Sequence, residues 1–278
     1  MLTVNNTSLE AFLKYLRERE YSGATMAKYA HDVRALLQYA PEGIRDKEHL
    51  NGFRAYLEAK GYSGTSVNSM LGAVNRYLAF CGSDWRLRYV RVQRRVYLSA
   101  DKELSQPEYE RLVLAAINRG DSRLALIVQT LCALGLRISE LKVITAESLA
   151  AREASIRNKG KLRTILIPDA LCKKLRAWCG ERGIVGGSVF VTRTGKPLDR
   201  SNVWKMLKRL AEAARVLKKK VFPHNFRHLF ARMHYKKFKD IVRLADILGH
   251  SSIDTTRIYT MRSGKEERRQ LGQLRLIL

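Results

Sequence analysis

The sequence predicts a mainly α-helical protein with two domains: an N-terminal four-helix domain and a helix-rich second domain that contains a small antiparallel β-sheet. Four stretches before residue 82 carry apolar residues at helical spacing and are separated by short loops. The sequence Ser-Gln-Pro-Glu at residues 105–108 is a capping box, which predicts that a new domain begins near residue 101. Between residues 153 and 168 the apolar pattern changes to the alternation that is typical of β-strands.

The N-terminal domain is predicted over residues 1–84 and begins with a helix. A capping box, Thr-Ser-Leu-Glu at residues 7–10, indicates where this helix starts. Its apolar face consists of Leu9, Phe12, Leu13 and Leu16. Three more helices are expected at about residues 23–39, 46–60 and 65–80. The short connections between them predict a four-helix domain.

A strongly basic stretch, residues 85–100, follows this domain. It contains no acidic residue between residues 85 and 98, and its arginines are Arg86, Arg88, Arg91, Arg94 and Arg95. Two interpretations remain open. The stretch is either an exposed edge strand with one solvated face, or a linker between the two domains whose charges lie along the phosphates of a nucleic acid. In the second interpretation these five arginines bind DNA.

The second domain, predicted over residues 101–278, is helical with a short strand region. Helices are expected at about 106–118, 121–133, 169–179, 201–216 and 240–248, with a short helix around Arg137. Strands are expected at 154–157, 162–167 and 189–192, the first two joined by a tight turn at Asn-Lys-Gly-Lys, residues 158–161. A tail helix over 265–278 places Leu271, Leu274 and Leu278 at helical spacing. These leucines pack either on their own domain or on a neighbouring protomer.

The charge of the chain limits its function. Of 278 residues, 52 are Lys or Arg and 26 are Asp or Glu, which gives a formal net charge of +26. Such an excess fits a polyanionic partner, and nucleic acid is the first candidate. A membrane surface is the competing partner, but the chain has no apolar run of about 18 residues and no signal sequence in its polar first ten residues. The four cysteines form no Cys-x-x-Cys pair, so we expect reduced thiols in a cytoplasm and no zinc site.

Two parts of the second domain carry residues suited to phosphate chemistry. Arg137 is followed one helical turn later by Glu140, which either forms a plain intrahelical pair or holds the guanidinium fork towards a phosphate. His224 and Arg227 are three residues apart on one helix face, and Pro223 predicts that His224 lies at a helix N-terminus, where anions bind. Gly249, which ends the next predicted helix, precedes His250, and Tyr259 follows nine residues later. A site that binds a phosphate and attacks it is the interpretation we favour.

The order of these residues resembles a known family. Leu-Gly-Leu-Arg-x-x-Glu-Leu begins at Leu134, His-x-x-Arg-His at His224, and Leu-Gly-His-x-x-x-x-Thr-Thr-x-x-Tyr at Leu248. Together they resemble the tyrosine recombinase, or phage integrase, family over roughly residues 101–260, and the two-domain length is most similar to the Xer type. The resemblance implies the tyrosine recombinase fold, in which a SAM-like core-binding domain precedes the catalytic domain.

The resemblance also implies a reaction and its residues. Tyr259 attacks the scissile phosphate and forms a 3′-phosphotyrosine, which releases a 5′-hydroxyl. Arg137 and Arg227 hold the non-bridging oxygens, Glu140 supports them, and His224 and His250 assist. Lys159 protonates the leaving oxygen, although its loop is one residue shorter than the commoner form, so Lys161 remains the alternative. His228 and His234 are expected to be structural or to contact the backbone. No metal or cofactor is required.

The implied partners are double-stranded DNA with an inverted-repeat core site and further copies of the chain. Dimers to tetramers would assemble on DNA through the C-terminal helix, in the cytoplasm and nucleoid of a prokaryote. Further DNA contacts are assigned to Lys161, Lys205 and Lys208. Rival functions are a type IB topoisomerase-like enzyme, which relaxes DNA by the same chemistry, and a non-catalytic DNA-binding regulator. The DNA target, the recombination outcome, accessory proteins and attack in cis or in trans stay open.

Overall fold

The computed structural model describes residues 2–92, 101–158, 161–192, 194–250, 252–261 and 264–274. The chain forms two compact units, Met1–Arg94 and Arg95–Leu278, and each has its own apolar core. Both are mainly helical, and one two-stranded antiparallel sheet lies in the second unit. The predicted fold class is therefore confirmed. Within the described ranges no helix combines the length and the apolar character that crossing a membrane requires.

Four helices build the first unit. They are α1 (Asn6–Glu18), α2 (Gly23–Tyr39), α3 (Lys47–Ala59) and α4 (Gly64–Phe80). The predicted start of α1 was two residues late. Asn5 is the N-cap: its Oδ1 accepts the Ser8 N–H at 2.9 Å, and the Ser8 hydroxyl accepts the Asn5 N–H at 2.9 Å. Asparagine caps a helix at least as well as threonine, and this reciprocal pair takes precedence over the Thr7 box.

The basic segment 85–92 lies on α4 of the first unit. Asn75 receives the N–H of Leu87 at 2.8 Å and donates to its carbonyl at 3.0 Å, and Asn68 does the same for Val90 at 2.7 and 2.9 Å. Each side-chain amide thus pairs with both the backbone N–H and the carbonyl of one residue, as a neighbouring strand would. The described part of the segment has no regular secondary structure and belongs to no β-ladder, so the edge-strand interpretation fails there. Arg94 and Arg95 lie outside the described residues.

The second unit contains nine helices in its described part and one β-hairpin. The helices are α5 (Gln106–Asn118), α6 (Ser122–Leu134), α7 (Ala146–Ala151), α8 (Asp169–Arg182), α9 (Arg200–Ala213), α10 (Pro223–Phe238), α11 (Ile241–Leu248), α12 (Ile253–Thr256) and α13 (Gly264–Gln273). Short 3₁₀ turns lie at Ile138–Val143, Lys218–Lys220 and Arg257–Tyr259. The sequence did not predict α7. Helix α6 runs through the core, where most of its residues are buried.

The hairpin pairs β1 (Glu153–Asn158) with β2 (Lys161–Leu166) in antiparallel register, with Asn158 opposite Lys161. Ala154, Ile156 and Ile165 face the core, as the alternation predicted. The strand predicted at residues 189–192 is wrong. Only isolated bridges occur there, one joining Val191 to Pro197. The flanking hydrogen bonds run from Thr192 N–H to the Lys196 carbonyl at 2.7 Å and from Leu198 N–H to the Phe190 carbonyl at 3.1 Å, and the pairing extends no further.

Candidate active site

Residues from distant parts of the second unit meet between α10, α11 and the turn that precedes α7. Arg137 follows α6, His224 and Arg227 lie on α10, His250 follows α11, and Tyr259 ends the 3₁₀ turn after α12. Two glycines permit this approach. Gly135 and Gly249 have positive φ angles of 59° and 63°, and each ends a helix. A Cβ at Gly135 would lie 2.5 Å from Phe230, and one at Gly249 would lie 2.8 Å from Arg163.

The carboxylate of Glu140 is the centre of an arginine cluster. It accepts the backbone N–H of Arg137 and its Nη1 group, both at 2.8 Å, and Nη2 of Arg163 at 2.7 Å. Nη1 of Arg227 lies 4.0 Å from it. The Glu140 side chain is only 5% exposed, so the pair is not a plain surface ion pair. Three guanidinium groups around one carboxylate leave an excess of positive charge, which suits a phosphate.

Arg163 is a site residue that the sequence analysis missed. It lies on β2, and besides Glu140 it binds the carbonyl of Ile247 through Nη1 at 2.7 Å. It therefore connects the hairpin to the end of α11, close to His250. Burial lowers the pKa of Arg163, and the charge of Glu140 opposes this shift. The signal was present in the sequence, because an arginine at an inward-facing strand position needs a buried partner.

Arg227 is fully buried, with 0% of its side chain exposed. Nη1 donates to the carbonyl of Gly135 at 2.8 Å, and Nη2 donates to the carbonyl of Leu248 at 2.5 Å. Burial lowers the pKa of Arg227 to about 10, so the guanidinium stays positive at neutral pH. Its Nε is buried and has no hydrogen-bond partner in the described part of the chain, and the charge of Arg227 lies close enough to Tyr259 to lower the pKa of that phenol.

The hydrogen bonds of His250 determine its tautomer. Nη2 of Arg227 lies 3.0 Å from its Nε2, and a guanidinium only donates, so Nε2 accepts. The proton is therefore on Nδ1, which lies 2.8 Å from the hydroxyl of Thr256, a fully buried residue. Burial and then the Arg227 charge lower the pKa of His250 to about 4. Sequence analysis assigned no role to Thr256, although it lies one helical turn before Tyr259.

His224 is also neutral near pH 7. Although the residue is exposed at the start of α10, partial removal of its ring from water lowers its pKa to about 4, and His228, Arg227 and Arg137 add to this shift. A neutral imidazole at the start of α10 can accept a proton, which an imidazolium cannot do. The predicted position at a helix N-terminus is confirmed, since Pro223 is the first residue of α10.

Tyr259 is 4% exposed and lies within the site of its own chain. Its ring is stacked with that of His250 at a centroid distance of 6.2 Å and meets His228 edge-on at 5.2 Å. Burial raises the pKa of the Tyr259 phenol, while the charge of Arg227 lowers it in part. A buried phenol near arginine and neutral histidine has both a charged partner and proton acceptors close by.

Of the lysines assigned to the reaction or to DNA, the structure describes the side chains of only two. Lys159 and the side chain of Lys161 lie outside the described residues. On α9, Lys205 is exposed, whereas Lys208 donates to the carbonyl of Lys218 at 2.5 Å and lies over the Trp204 ring. In the ranges that the structure describes, no three or more His, Cys, Asp or Glu side chains are grouped to hold a metal, and all four cysteines are free.

The lowered pKa values of His224 and His250 lead us to expect a loss of stability in acid. An unfolded histidine titrates near pH 6.5, whereas folded His224 and His250 titrate at about 4, so the unfolded chain binds more protons between these values. The free energy of unfolding should therefore be fully present above pH 6.5 and decrease as the pH falls towards 4. His250→Gln, which does not titrate, should reduce this decrease by about 1 kcal/mol after allowance for solvent screening.

Urea unfolding at a series of pH values measures this effect. His31→Gln, on α2 beside Asp32 with 69% of its side chain exposed, is the comparison for loss of a histidine outside the site, and it should change the slope less than His250→Gln does. An equal slope in wild type and His250→Gln would contradict the assignment of a neutral, partly buried His250.

Comparison with known proteins decides the family. Residues 102–266 match the profile described as the phage integrase family, and residues 9–83 match the phage integrase N-terminal SAM-like domain. The chain belongs to the phage integrase family. Tyrosine recombinase XerA of Thermococcus kodakarensis is 32% identical over 282 residues, which cover 98% of this chain and 96% of that protein. Tyrosine recombinase XerD of Halalkalibacterium halodurans is 29% identical and covers 94% of each chain.

Solved structures agree with this family assignment. The crystal structure of XerA recombinase is 26% identical, with a TM-score of 0.54 over 98% of this chain and 99% of that one. A lambda integrase dimer bound to a COC′ core site has a TM-score of 0.73 over 92% of this chain and 95% of that one; at 16% identity it supports the fold alone. As a phage integrase family member, the protein is a tyrosine recombinase, an enzyme that cleaves and rejoins DNA. The topoisomerase-like and regulatory alternatives are not favoured.

Proposed function

We propose that this recombinase cuts DNA with Tyr259 while Arg137, Arg227, His224 and His250 surround the scissile phosphate. The observation that carries the proposal is the packing of a buried phenol against His250, whose Nε2 accepts from the buried guanidinium of Arg227 at 3.0 Å. Nucleophile, cation and imidazole thus lie together in one chain, which supports attack in cis. Attack forms a phosphorus–oxygen bond to Tyr259 as the bond to the 5′-oxygen breaks, giving a 3′-phosphotyrosine.

The two arginines would stabilise the transition state. Arg137 keeps 32% of its side chain exposed and uses Nη1 for Glu140, so its other N–H groups are open to a phosphate oxygen. Arg227 is fully buried and is bonded to Gly135, Leu248 and His250, so it would act through its positive charge and by orienting His250 beside Tyr259. Negative charge grows on the non-bridging oxygens during attack, and each preorganised donor contributes roughly 3 kcal/mol there. Glu140 and Arg163 act by holding these groups in place.

Two proton transfers accompany the attack. Neutral His224 would accept the phenol proton or bind the phosphate, while the 5′-oxygen must gain a proton as it leaves. We assign that second proton to Lys159, with Lys161 as the alternative, because both belong to the β1–β2 hairpin. Arg163 on β2 lies within the arginine cluster, which supports a hairpin close to the phosphate.

A suicide DNA substrate tests this function. In a duplex with a nick close to the cut site, cleavage releases a short strand that carries the 5′-hydroxyl. This strand diffuses away, so the ends cannot be rejoined and the protein stays attached to the DNA. A denaturing gel detects the adduct as a band of reduced mobility. Wild-type protein should form this adduct without added metal or nucleotide. Its absence would favour the DNA-binding regulator, and relaxation of supercoiled DNA that lacks the site would favour the topoisomerase-like enzyme.

DNA binding by the first unit is proposed to use its basic groove. Lys47, Asn51 and Arg54 of α3 line this groove together with Arg86 and Arg88, and Arg91 is exposed on the same segment. Arginines on a segment fixed to α4 are preorganised for phosphates. Exposed Lys205 on α9 would add a contact from the second unit. These positions support the proposed location on nucleoid DNA.

Affinity for DNA should fall steeply with salt, because each phosphate contact releases bound counterions. Replacing both Arg86 and Arg88 with alanine should make the slope of log K against log salt less steep by about 2. Fluorescence anisotropy with a labelled core-site duplex at several salt concentrations measures the slope. Arg119→Ala, at the exposed end of α5, is the control for a lost charge outside the groove. An unchanged slope in the double variant would remove these arginines from the interface.

Assembly on DNA is proposed to use α13. Leu271 and Leu274 are 56% and 58% exposed in the single chain, so this part of the helix does not bury its leucines on its own domain. An amphipathic helix with an uncovered apolar side fits a complementary surface on another copy of the chain. Sedimentation of the protein on duplexes with one or two half-sites tests whether dimers and tetramers form.

A further inference from the structure

Helix α10 has a second polar face beside the one that carries His224 and Arg227. Asn225, His228 and Arg232 share this face, since they are three and four residues apart. All three contact the segment that precedes α5. Nδ2 of Asn225 donates to the carbonyl of Lys102 at 2.9 Å, and Nη2 of Arg232 donates to the carbonyl of Leu104.

Glu103, in the middle of this segment, points its carboxylate at the same face. Oε1 lies 3.5 Å from Nδ1 of His228, and Oε2 lies 3.6 Å from Nη2 of Arg232. The Glu103 side chain is only 16% exposed. Burial alone would raise the pKa of Glu103, but His228 and Arg232 outweigh it, so the pKa lies below its usual value and the group is ionised at neutral pH. A half-buried carboxylate is thus held against an imidazole.

His228 connects this carboxylate to the reacting groups. Its ring meets the Tyr259 ring edge-on at 5.2 Å and the His224 ring edge-on at 4.5 Å. Its Nε2 is buried and has no hydrogen-bond partner in the described chain. The sequence analysis expected His228 to be structural or to contact the backbone. The structure instead places the ring between a carboxylate and the phenol.

We propose that Glu103 and His228 are positioning residues for the nucleophile: Glu103 fixes the imidazole of His228, and this ring holds Tyr259 in the orientation for attack. The inference rests on the proposed role of Tyr259. The backbone around Tyr259 gives a physical reason, because it consists of a four-residue helix followed by a three-residue 3₁₀ turn. So short an element fixes a side chain weakly by itself, and a misplacement of about 1 Å can cost about 100-fold in rate.

A purely structural role would be to anchor the segment 102–104, and Asn225 is the matched control for it. Asn225 holds the same segment from the same helix face, through Lys102, and it bonds to Lys220 as well. Asn225→Ala therefore weakens the anchor and leaves the Glu103–His228 contact in place. Glu103→Ala removes that contact, and Glu103→Gln keeps the shape without the charge. His228→Phe keeps a ring against Tyr259 but loses its polar partner.

The experiment measures the single-turnover rate of adduct formation on the suicide duplex with the full chain and saturating DNA. Glu103→Ala and His228→Phe should each slow the adduct about 10- to 100-fold with unchanged DNA affinity, as removal of outer partners does at other sites. The double variant should be no slower than the slower single variant, because both changes break one connection. Asn225→Ala should stay within about threefold of wild type.

A second substrate separates the nucleophile from the leaving group. With sulfur in place of the bridging 5′-oxygen, the leaving thiolate needs no proton, since a thiol is far more acidic than a sugar hydroxyl. The defects of Glu103→Ala and His228→Phe should persist on this substrate. Rescue would overturn the inference, because it would place the pair on the leaving-group side.

Other outcomes are equally distinct. Equal slowing by Asn225→Ala and Glu103→Ala would make the pair a simple anchor and overturn the inference. Should Glu103→Ala fold poorly, Glu103→Gln replaces it. Wild-type rates for both single variants, Glu103→Gln and His228→Phe, would also overturn the inference. A wild-type protein that forms no adduct would contradict the proposed function itself, whatever the variants do.

Discussion

Tyr259→Phe is expected to abolish covalent attachment to DNA and to leave DNA binding intact. The substitution removes one oxygen and keeps the ring that packs against His228 and His250. A phosphotyrosine cannot form without the Tyr259 hydroxyl, and neither histidine carries an oxygen that could replace it. We expect the rate of adduct formation to fall by at least about 10⁴-fold, as when the nucleophile of another covalent enzyme is removed.

Adduct formation on the suicide duplex and anisotropy on the intact duplex measure the two properties separately. Tyr235→Phe is the matched control, because Tyr235 packs on the same small apolar cluster as Tyr259 but lies on α10. It should form adducts at the wild-type rate. Recombination by Tyr259→Phe would show that another residue is the nucleophile.

Arg137→Lys is expected to have the second-largest effect, a loss of about 10²- to 10³-fold in cleavage rate. A lysine keeps the charge but has no planar fork, so it cannot bind Glu140 and a phosphate oxygen in fixed directions at once. The backbone N–H of residue 137 would still bind Glu140, as it does at 2.8 Å in the wild type. The fold should therefore survive, and the defect should lie in the chemical step.

Single-turnover cleavage at saturating DNA tests this expectation. Arg157→Lys, at an exposed position of β1, is the control for the same exchange outside the arginine cluster. DNA affinity of Arg137→Lys should change little, because one charge among many remains. A cleavage rate within about threefold of wild type would mean that charge alone suffices at this position and that the fork has no role.

The arginine cluster explains why both variants are expected to act on chemistry rather than on folding. Glu140 neutralises part of the charge of Arg137, Arg163 and Arg227. Arg163 is also held by the carbonyl of Ile247, and Arg227 by the carbonyls of Gly135 and Leu248. Binding partners on several elements preorganise the donors before DNA arrives. Such preorganisation is the property that transition-state stabilisation by fixed dipoles and charges requires.

The sequence by itself determined the elements whose signals are local. Ser105 and Glu108 form the predicted capping box of α5, and α3 begins at Lys47, one residue from its expected start. Gly249 ends α11 with the left-handed conformation that its position predicted. These signals depend on residues three or four positions apart, which a helix brings together in any surroundings. The order of the motif residues was sufficient to predict the family, because the residues within each motif are close together in the sequence.

Only the tertiary structure decided how the site is held together. Arg163 reaches Ile247 across 84 residues of sequence, and Asn225 reaches Lys102 across 123. Glu103 meets His228 in the same way. Helical or strand periodicity describes which face a residue lies on, but it carries no information about the element packed against that face. The partners of buried charges are chosen by packing, since a charge removed from water is stable only where a partner from another part of the fold reaches it.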